Sequence, residues 1–207
     1  MSLPQTYRTE LGFTVDGASP ALLRNLLDDF ATALVRVGVP VDTLFRPGRP
    51  EAEVCAECAG QGLVPTEELI IWWGWRDGVT QGLPAEYFPR DFLSLERSMQ
   101  NYDDEDKGLD VALWNPSWVR LAGHPRGIAV LTDPAMPPLV RGVHKGGFGT
   151  NDVGTTSQVV SLCTPVTWWI LAIANGWWRW IPAADGFGHW EYARDSLPLE
   201  WQFTSLV

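Results

Sequence analysis

The pattern of apolar residues changes once along this chain, near Gly108, and that change constrains the fold more than any other feature. Upstream, apolar residues recur at helical spacing over long stretches; downstream, they form short runs broken by Gly, Pro, Asn and Asp. A parallel α/β sheet needs helices and strands in alternation, so helices first and strands next predicts an α+β fold. The expected architecture is N-terminal helices packed on a mostly antiparallel or mixed sheet, with one late helix.

The helical half carries its own start and stop signals. Ser19 is a suitable N-cap and Pro20 suits a first helical position; Leu22, Leu23, Leu26, Leu27, Phe30 and Leu34 then form a stripe that Gly38 closes. Arg46-Pro-Gly-Arg-Pro50 reads as a linker leading into a second helix, with Glu51 and Glu53 in its first turn and Gly60 and Gly62 as its stop. Pro65 and Thr66 open a third helix, which is apolar nearly all round from Leu69 to Trp73 and is expected to end at Asp77-Gly78. A shorter fourth helix is expected over Asp91–Gln100, with Phe92, Leu95 and Met99 on one face. In the second half, strands are expected at Val111–Trp114, Trp118–Ala122, Gly127–Thr132, Leu139–His144 and Gln158–Leu162. Helical signal returns from Pro165 to Asn175.

At 207 residues the chain is expected to form one domain with a core of its own. Its 12 tryptophans are the unusual entry in the composition, clustered at Trp72-Trp73-Gly74-Trp75 and Trp177-Trp178-Arg179-Trp180. Large aromatics carry core and interface energetics, so tryptophan is expected in both places. The net charge of -10 disfavours direct binding to nucleic acid or to an anionic membrane, and would steer a basic protein partner towards this surface. Met1 to Thr9 has neither an apolar core nor a basic run, and no stretch approaches the roughly 18 apolar residues of a membrane span. Three cysteines do not make a disulfide framework. These observations together predict a cytoplasmic protein.

Residues 46 to 78 read Arg-Pro-Gly-Arg-Pro-Glu, then Gly-Leu-Val-Pro-Thr-Glu-Glu-Leu-Ile-Ile-Trp-Trp-Gly-Trp-Arg-Asp-Gly. This resembles the opening of the SMI1/KNR4 (SUKH) superfamily: a Pro- and Glu-led helix, a Gly-Leu-x-Pro link, then a helix ending in an Asn/Asp-Gly pair. The matching positions are Glu53, Leu63, Pro65, Glu68, Leu69, Trp72, Asp77 and Gly78. Trp118-Val-Arg-Leu-Ala and Gly127-Ile-Ala-Val-Leu-Thr-Asp133 resemble a later segment of that family, although Arg120 stands where its proline is usual. The resemblance covers about residues 46–178, leaving 1–45 as an N-terminal helical extension and 179–207 as a C-terminal extension. It implies a SUKH-like fold and a non-catalytic, protein-binding role. Many bacterial members are immunity proteins that neutralise toxins, nucleases among them; fungal members regulate cell-wall synthesis through protein contacts.

The motifs with chemistry of their own are weak. Cys55-Ala-Glu-Cys58 falls inside a helix with no strand before it, where a redox site would want a helix N-terminus. A zinc site would need two more closely spaced ligands, whereas Cys163, His124, His144 and His189 are scattered singly. Helix packing is the expected role of both thiols, with a thiol-dependent enzyme as the competing reading. The segment from His144 to Asn151 lacks the Gly-Lys-Ser/Thr ending of a phosphate loop and reads as a hairpin or loop. No catalytic residue, metal or cofactor is assigned.

From Asp91 to Asp110 seven acids stand against Arg97 and Lys107. The run Asp103, Asp104, Glu105 and Asp106 is either an ordinary solvated loop or an acidic patch that mimics a phosphate backbone towards a basic toxin surface. These four residues, with Trp75 and Asp77 at a helix end, are the candidate partner-binding residues. The function expected is immunity by direct binding; the alternative is a scaffold or regulator of cell-wall assembly.

Overall fold

The computed structural model describes residues 2–80, 92–105, 117–122, 126–144, 147–148, 158–182, 188–193 and 198. The chain opens with a hairpin, β1 (Thr6–Thr9) and β2 (Gly12–Val15), and then enters helix α1 (Pro20–Arg36). Ser19 caps α1 as expected, its hydroxyl accepting the Leu22 N–H at 3.2 Å. The stripe Leu23, Leu26, Leu27, Phe30 and Leu34 is buried, each side chain contributing about 1.5–3 kcal/mol by leaving water. A single turn, α2 (Val41–Leu44), leads to β3 (Phe45–Pro47), α3 (Glu51–Gly60), α4 (Glu67–Trp75) and β4 (Arg76–Val79).

Helix α5 (Leu95–Glu105) is followed by β5 (Trp118–Ala122), β6 (Arg126–Leu131), β7 (Leu139–His144), β8 (Gly147–Phe148) and β9 (Gln158–Val160). The late helix α6 (Cys163–Ala174) and a hairpin of β10 (Trp178–Pro182) and β11 (Gly188–Tyr192) complete the order. The main sheet runs β1-β2-β9-β7-β6-β5, with β8 on β7; β2 and β9 pair parallel and the other pairs are antiparallel. This is the α+β fold with a mixed, mostly antiparallel sheet and a late helix. Among the described residues, no helix is long and apolar enough to cross a membrane.

Three helices end in the same way. Gly38, Gly62 and Gly176 adopt left-handed φ values of +94°, +72° and +67°. That turn lets Val39, Leu63 and Trp177 N–H donate back to Leu34, Cys58 and Ala172 carbonyls. Strands β5, β6 and β7 fall within a residue or so of their expected limits. Several expectations need correction. Residues 1–45 are not a helical extension alone, because β1 and β2 form an edge of the main sheet and α1 packs against α6 and α4. Helix α4 stops at Trp75 because Arg76 is already extended (φ -151°, ψ 135°), so Asp77-Gly78 lies in β4. Helix α5 starts later than Asp91: Phe92 bridges Ala122 and Leu93 N–H donates to Leu121, so this segment runs beside β5 before the helix begins. The Val111–Trp114 strand lies outside the described residues.

The core lies between α1, α4, α6 and one face of the sheet. It includes Val119, Leu121, Ile128, Val130 and Val140 from the strands, and Trp72, Trp73, Trp168 and Trp169 from the helices. The β10–β11 hairpin, expected as part of a C-terminal extension, adds Trp178, Trp180 and Trp190 to this cluster. A smaller cluster of Trp118, Ala129, Leu131 and Leu139 occupies the other face, with the Arg141 guanidinium 5.1 Å from the Trp118 ring centroid.

One buried carboxylate ties α4 to α6. Glu68 is 4% exposed; its carboxylate accepts from the Ser161 hydroxyl and from Leu162 N–H, the latter at 2.7 Å. Ser161 turns the chain from β9 into α6 with φ +66°, a backbone state that costs a non-glycine residue about 1–2 kcal/mol. Burial raises the Glu68 pKa from its ordinary value, against the opposing pull of the Leu162 and Ser161 donors. A raised folded pKa means that the folded state holds this proton more tightly than the unfolded chain does. Glu68 thus contributes stability that is full below the ordinary glutamate value and is lost as pH rises through the folded pKa. Replacing Glu68→Gln should remove that slope. The difference in melting temperature between variant and wild type should shift in the variant's favour as pH rises from 4.5, the ordinary value, towards neutrality. Equal slopes for the two proteins in thermal unfolding across that range would refute this account.

Candidate functional site

The segment read as a plain linker is held against the C-terminal end of α4. Arg49 N–H donates to the Trp73 carbonyl at 2.8 Å, satisfying one of the carbonyls a helix end leaves open. The approach is so close that a Cβ on Gly48 would lie 1.8 Å from the Gly74 carbonyl oxygen. Only glycine fits there, and it sets where the flanking Arg46 and Arg49 stand.

Both arginines converge on Asp77, which is 4% exposed. Arg49 Nε donates to Asp77 Oδ2 at 2.9 Å, and Arg46 Nη2 approaches the same oxygen at 3.4 Å. Arg46 Nε also donates to the Asp77 carbonyl at 2.9 Å. The other carboxylate oxygen, Oδ1, accepts the Leu95 N–H at 2.8 Å and so caps α5. The hydrogen bond to Asp77, against a smaller cost of burial, raises the Arg49 pKa and keeps its guanidinium charged. Gly78 follows with φ +69°, and a Cβ there would lie 2.3 Å from Ser94 N. The Asp-Gly pair is a junction between β4 and the start of α5.

A groove of about 370 Å³ opens beside this junction, between α1 and α4. Its floor comes from Leu27 of α1 and from Ile70, Ile71, Gly74 and Trp75 of α4, positions that share one face of each helix. Arg24, Asp28, Arg49 and Glu51 line its rim. Trp75 is half-buried; its ring centroid lies 5.5 Å from that of Phe45 and 6.1 Å from those of Phe30 and Trp72. The indole is anchored in the aromatic core, and Trp75 is also one of the residues that line the groove. No protein-family model matches the chain, and no curated protein sequence matches it either.

The candidate residues therefore divide. Trp75 lines the groove, and Asp77 meets it only through Arg49, its carboxylate oxygens taken up inside the chain. Asp103, Asp104 and Glu105 lie in the last turn of α5 instead of in a loop; their side chains, and Asp106 altogether, lie outside the described residues. Arg24, Asp28, Arg46, Arg49 and Glu51 were not singled out from sequence. Their signals are present in retrospect: Arg24 and Asp28 share the off-stripe face of α1 at i,i+4, and two arginines flank a linker glycine.

The thiols stand elsewhere. Cys58 is buried in α3, and burial pushes its pKa up to about 11, so the thiol is protonated at neutral pH. Cys163 lies at the start of α6 with its thiol directed to the Ser19 carbonyl at 3.5 Å. The glycine-rich segment forms a β7–β8 hairpin pairing His144 with Gly147; its remainder lies outside the described residues.

Replacing Asp77→Ala removes the cap of α5 and leaves two guanidiniums facing a buried hole. The loss should be about 2–4 kcal/mol, discounted from a fully buried pair because both arginines are about a third exposed. Urea unfolding measures it, and a loss below about 1 kcal/mol would show that the junction is not structural.

Proposed function

We propose that this protein acts by binding another protein, and that its partner is a basic toxin domain which it neutralises in the cytoplasm, in the manner of an immunity protein. The observation that carries the binding role is Trp75. A tryptophan held by the core and lining an open, charge-rimmed groove has the properties of an interface anchor, since binding hot spots favour desolvated Trp and Arg. The immunity reading adds two supports, the resemblance of residues 46–178 to the SMI1/KNR4 superfamily and the net charge of -10. Charge complementarity raises encounter rates with a basic partner and disfavours acidic ones. A thiol-dependent enzyme is less favoured because Cys58 is buried and protonated.

The test starts from the gene's neighbourhood. A toxin-like open reading frame beside it supplies a C-terminal module that can be expressed and captured on the immobilised chain. Capture should be tight at low salt and weaken as salt rises. Trp75→Ala should weaken it by at least about tenfold, with the fold retained by circular dichroism. A module that is not retained at low salt would remove the immunity reading. Recovery of several partners from native cells, with no single tight one, would point to a regulator of cell-wall assembly instead.

A further inference from the structure

We propose that the groove between α1 and α4 receives an arginine side chain of the partner, its guanidinium against the Trp75 indole and paired with Asp28 and Glu51. This rests on the protein-binding role above and names the chemistry of its contact. The groove is lined by two carboxylates, Asp28 and Glu51, and two guanidiniums, Arg24 and Arg49, and both guanidiniums are paired with carboxylates that lie outside its lining. Arg24 is engaged by Glu67 at 3.4 Å, and Arg49 by Asp77 at 2.9 Å and Glu53 at 3.2 Å. Arg46 reaches Asp77 at 3.4 Å. The two lining carboxylates, Asp28 and Glu51, take no ion pair or side-chain hydrogen bond among the described residues.

The imbalance selects the occupant. An anionic group would meet arginines already committed to carboxylates and would add to a negative surplus. An uncharged apolar group would cover Asp28 and Glu51 with nothing to replace their water. A cation satisfies both carboxylates and gains from the indole face. Arginine fits better than lysine here, because a planar fork of donors can address two carboxylates while it stacks on an aromatic ring, and it is less strongly hydrated. The groove's volume, about 370 Å³, is ample for one such side chain.

The probe is acetyl-Gly-Arg-Gly-amide, with the citrulline tripeptide as its uncharged isostere. Each is titrated at low salt into the isotope-labelled full chain. The Trp75 indole N–H resonance, assigned by its loss in Trp75→Phe, reports the contact. The arginine peptide should shift it saturably and the citrulline peptide should not. Asp28→Asn with Glu51→Gln should weaken the arginine peptide by at least about tenfold. Both substitutions are at exposed positions, and Glu51→Gln alone serves if the pair disturbs folding. Equal shifts from the two peptides, an unchanged affinity in the variant, or no shift at all would overturn the proposal. Its failure is distinguishable from failure of the binding role: a toxin module retained equally by wild type and the double variant leaves the role standing and removes this contact. Saturable arginine binding without any retained protein does the reverse.

Discussion

The Asp77 carboxylate is the constraint on which the site depends. It is buried, and a buried charge is tolerated only where hydrogen bonds and opposite charge replace its water. Here that replacement comes from three directions: Arg49 and Arg46 from the segment before α3, and the Leu95 N–H from the start of α5. One side chain in β4 thus fixes the entry to α5 and the stance of the 46–49 segment. That segment in turn lies on the last turn of α4 through Arg49 N–H and the narrow passage at Gly48. Of the groove's rim, Arg49 stands where it does because of how Asp77 is satisfied.

Glu68 contrasts with Asp77, an acid buried to the same degree. No cation approaches it among the described residues; its partners are a hydroxyl and a helix N-terminal N–H, and burial raises its pKa. It costs stability as pH rises, whereas it holds the strained turn at Ser161 and joins α4 to α6. Helix α4 is therefore pinned at both ends by carboxylate chemistry, at its first turn through Glu68 and past its last through Asp77. Between them its apolar side chains face the core on most sides, and only the Ile70, Gly74 and Trp75 face is left partly open. The groove exists because the helix cannot rotate to bury that face.

Much of this fold was legible in the sequence where a side chain or a φ angle has one physical solution. Ser19, Gly38 and Gly62 marked helix limits because capping and left-handed turns admit few residues. The strands β5, β6 and β7 were legible because both their faces are apolar. The hairpin β1–β2 was not: its strands have four residues each and β1 is largely exposed, so it has no alternation to read. The start of α5 was missed because its cap comes from Ser94 and from Asp77, and the second is 18 residues away. The site was half legible for the same reason. Trp75 and Asp77 stood out through residue type, but the arginines that surround them are brought together by tertiary approach.

The two acidic features of the chain have different physical reach. A field from the acidic segment around Asp103–Asp106 decays over roughly 8 Å at physiological ionic strength, so under a binding role it would act on how fast a basic partner arrives. It has little to say about which face of the partner docks. A groove with a fixed aromatic wall and two rim carboxylates acts at contact distance, on how long a correctly placed partner stays. Under a binding role, the first feature sets an association rate that falls with salt, and the second sets a dissociation rate that depends on Trp75. A protein with net charge -10 would attract many basic surfaces; under a binding role, discrimination among them would fall to the groove, where the pairing with Asp77 holds Arg49 in place.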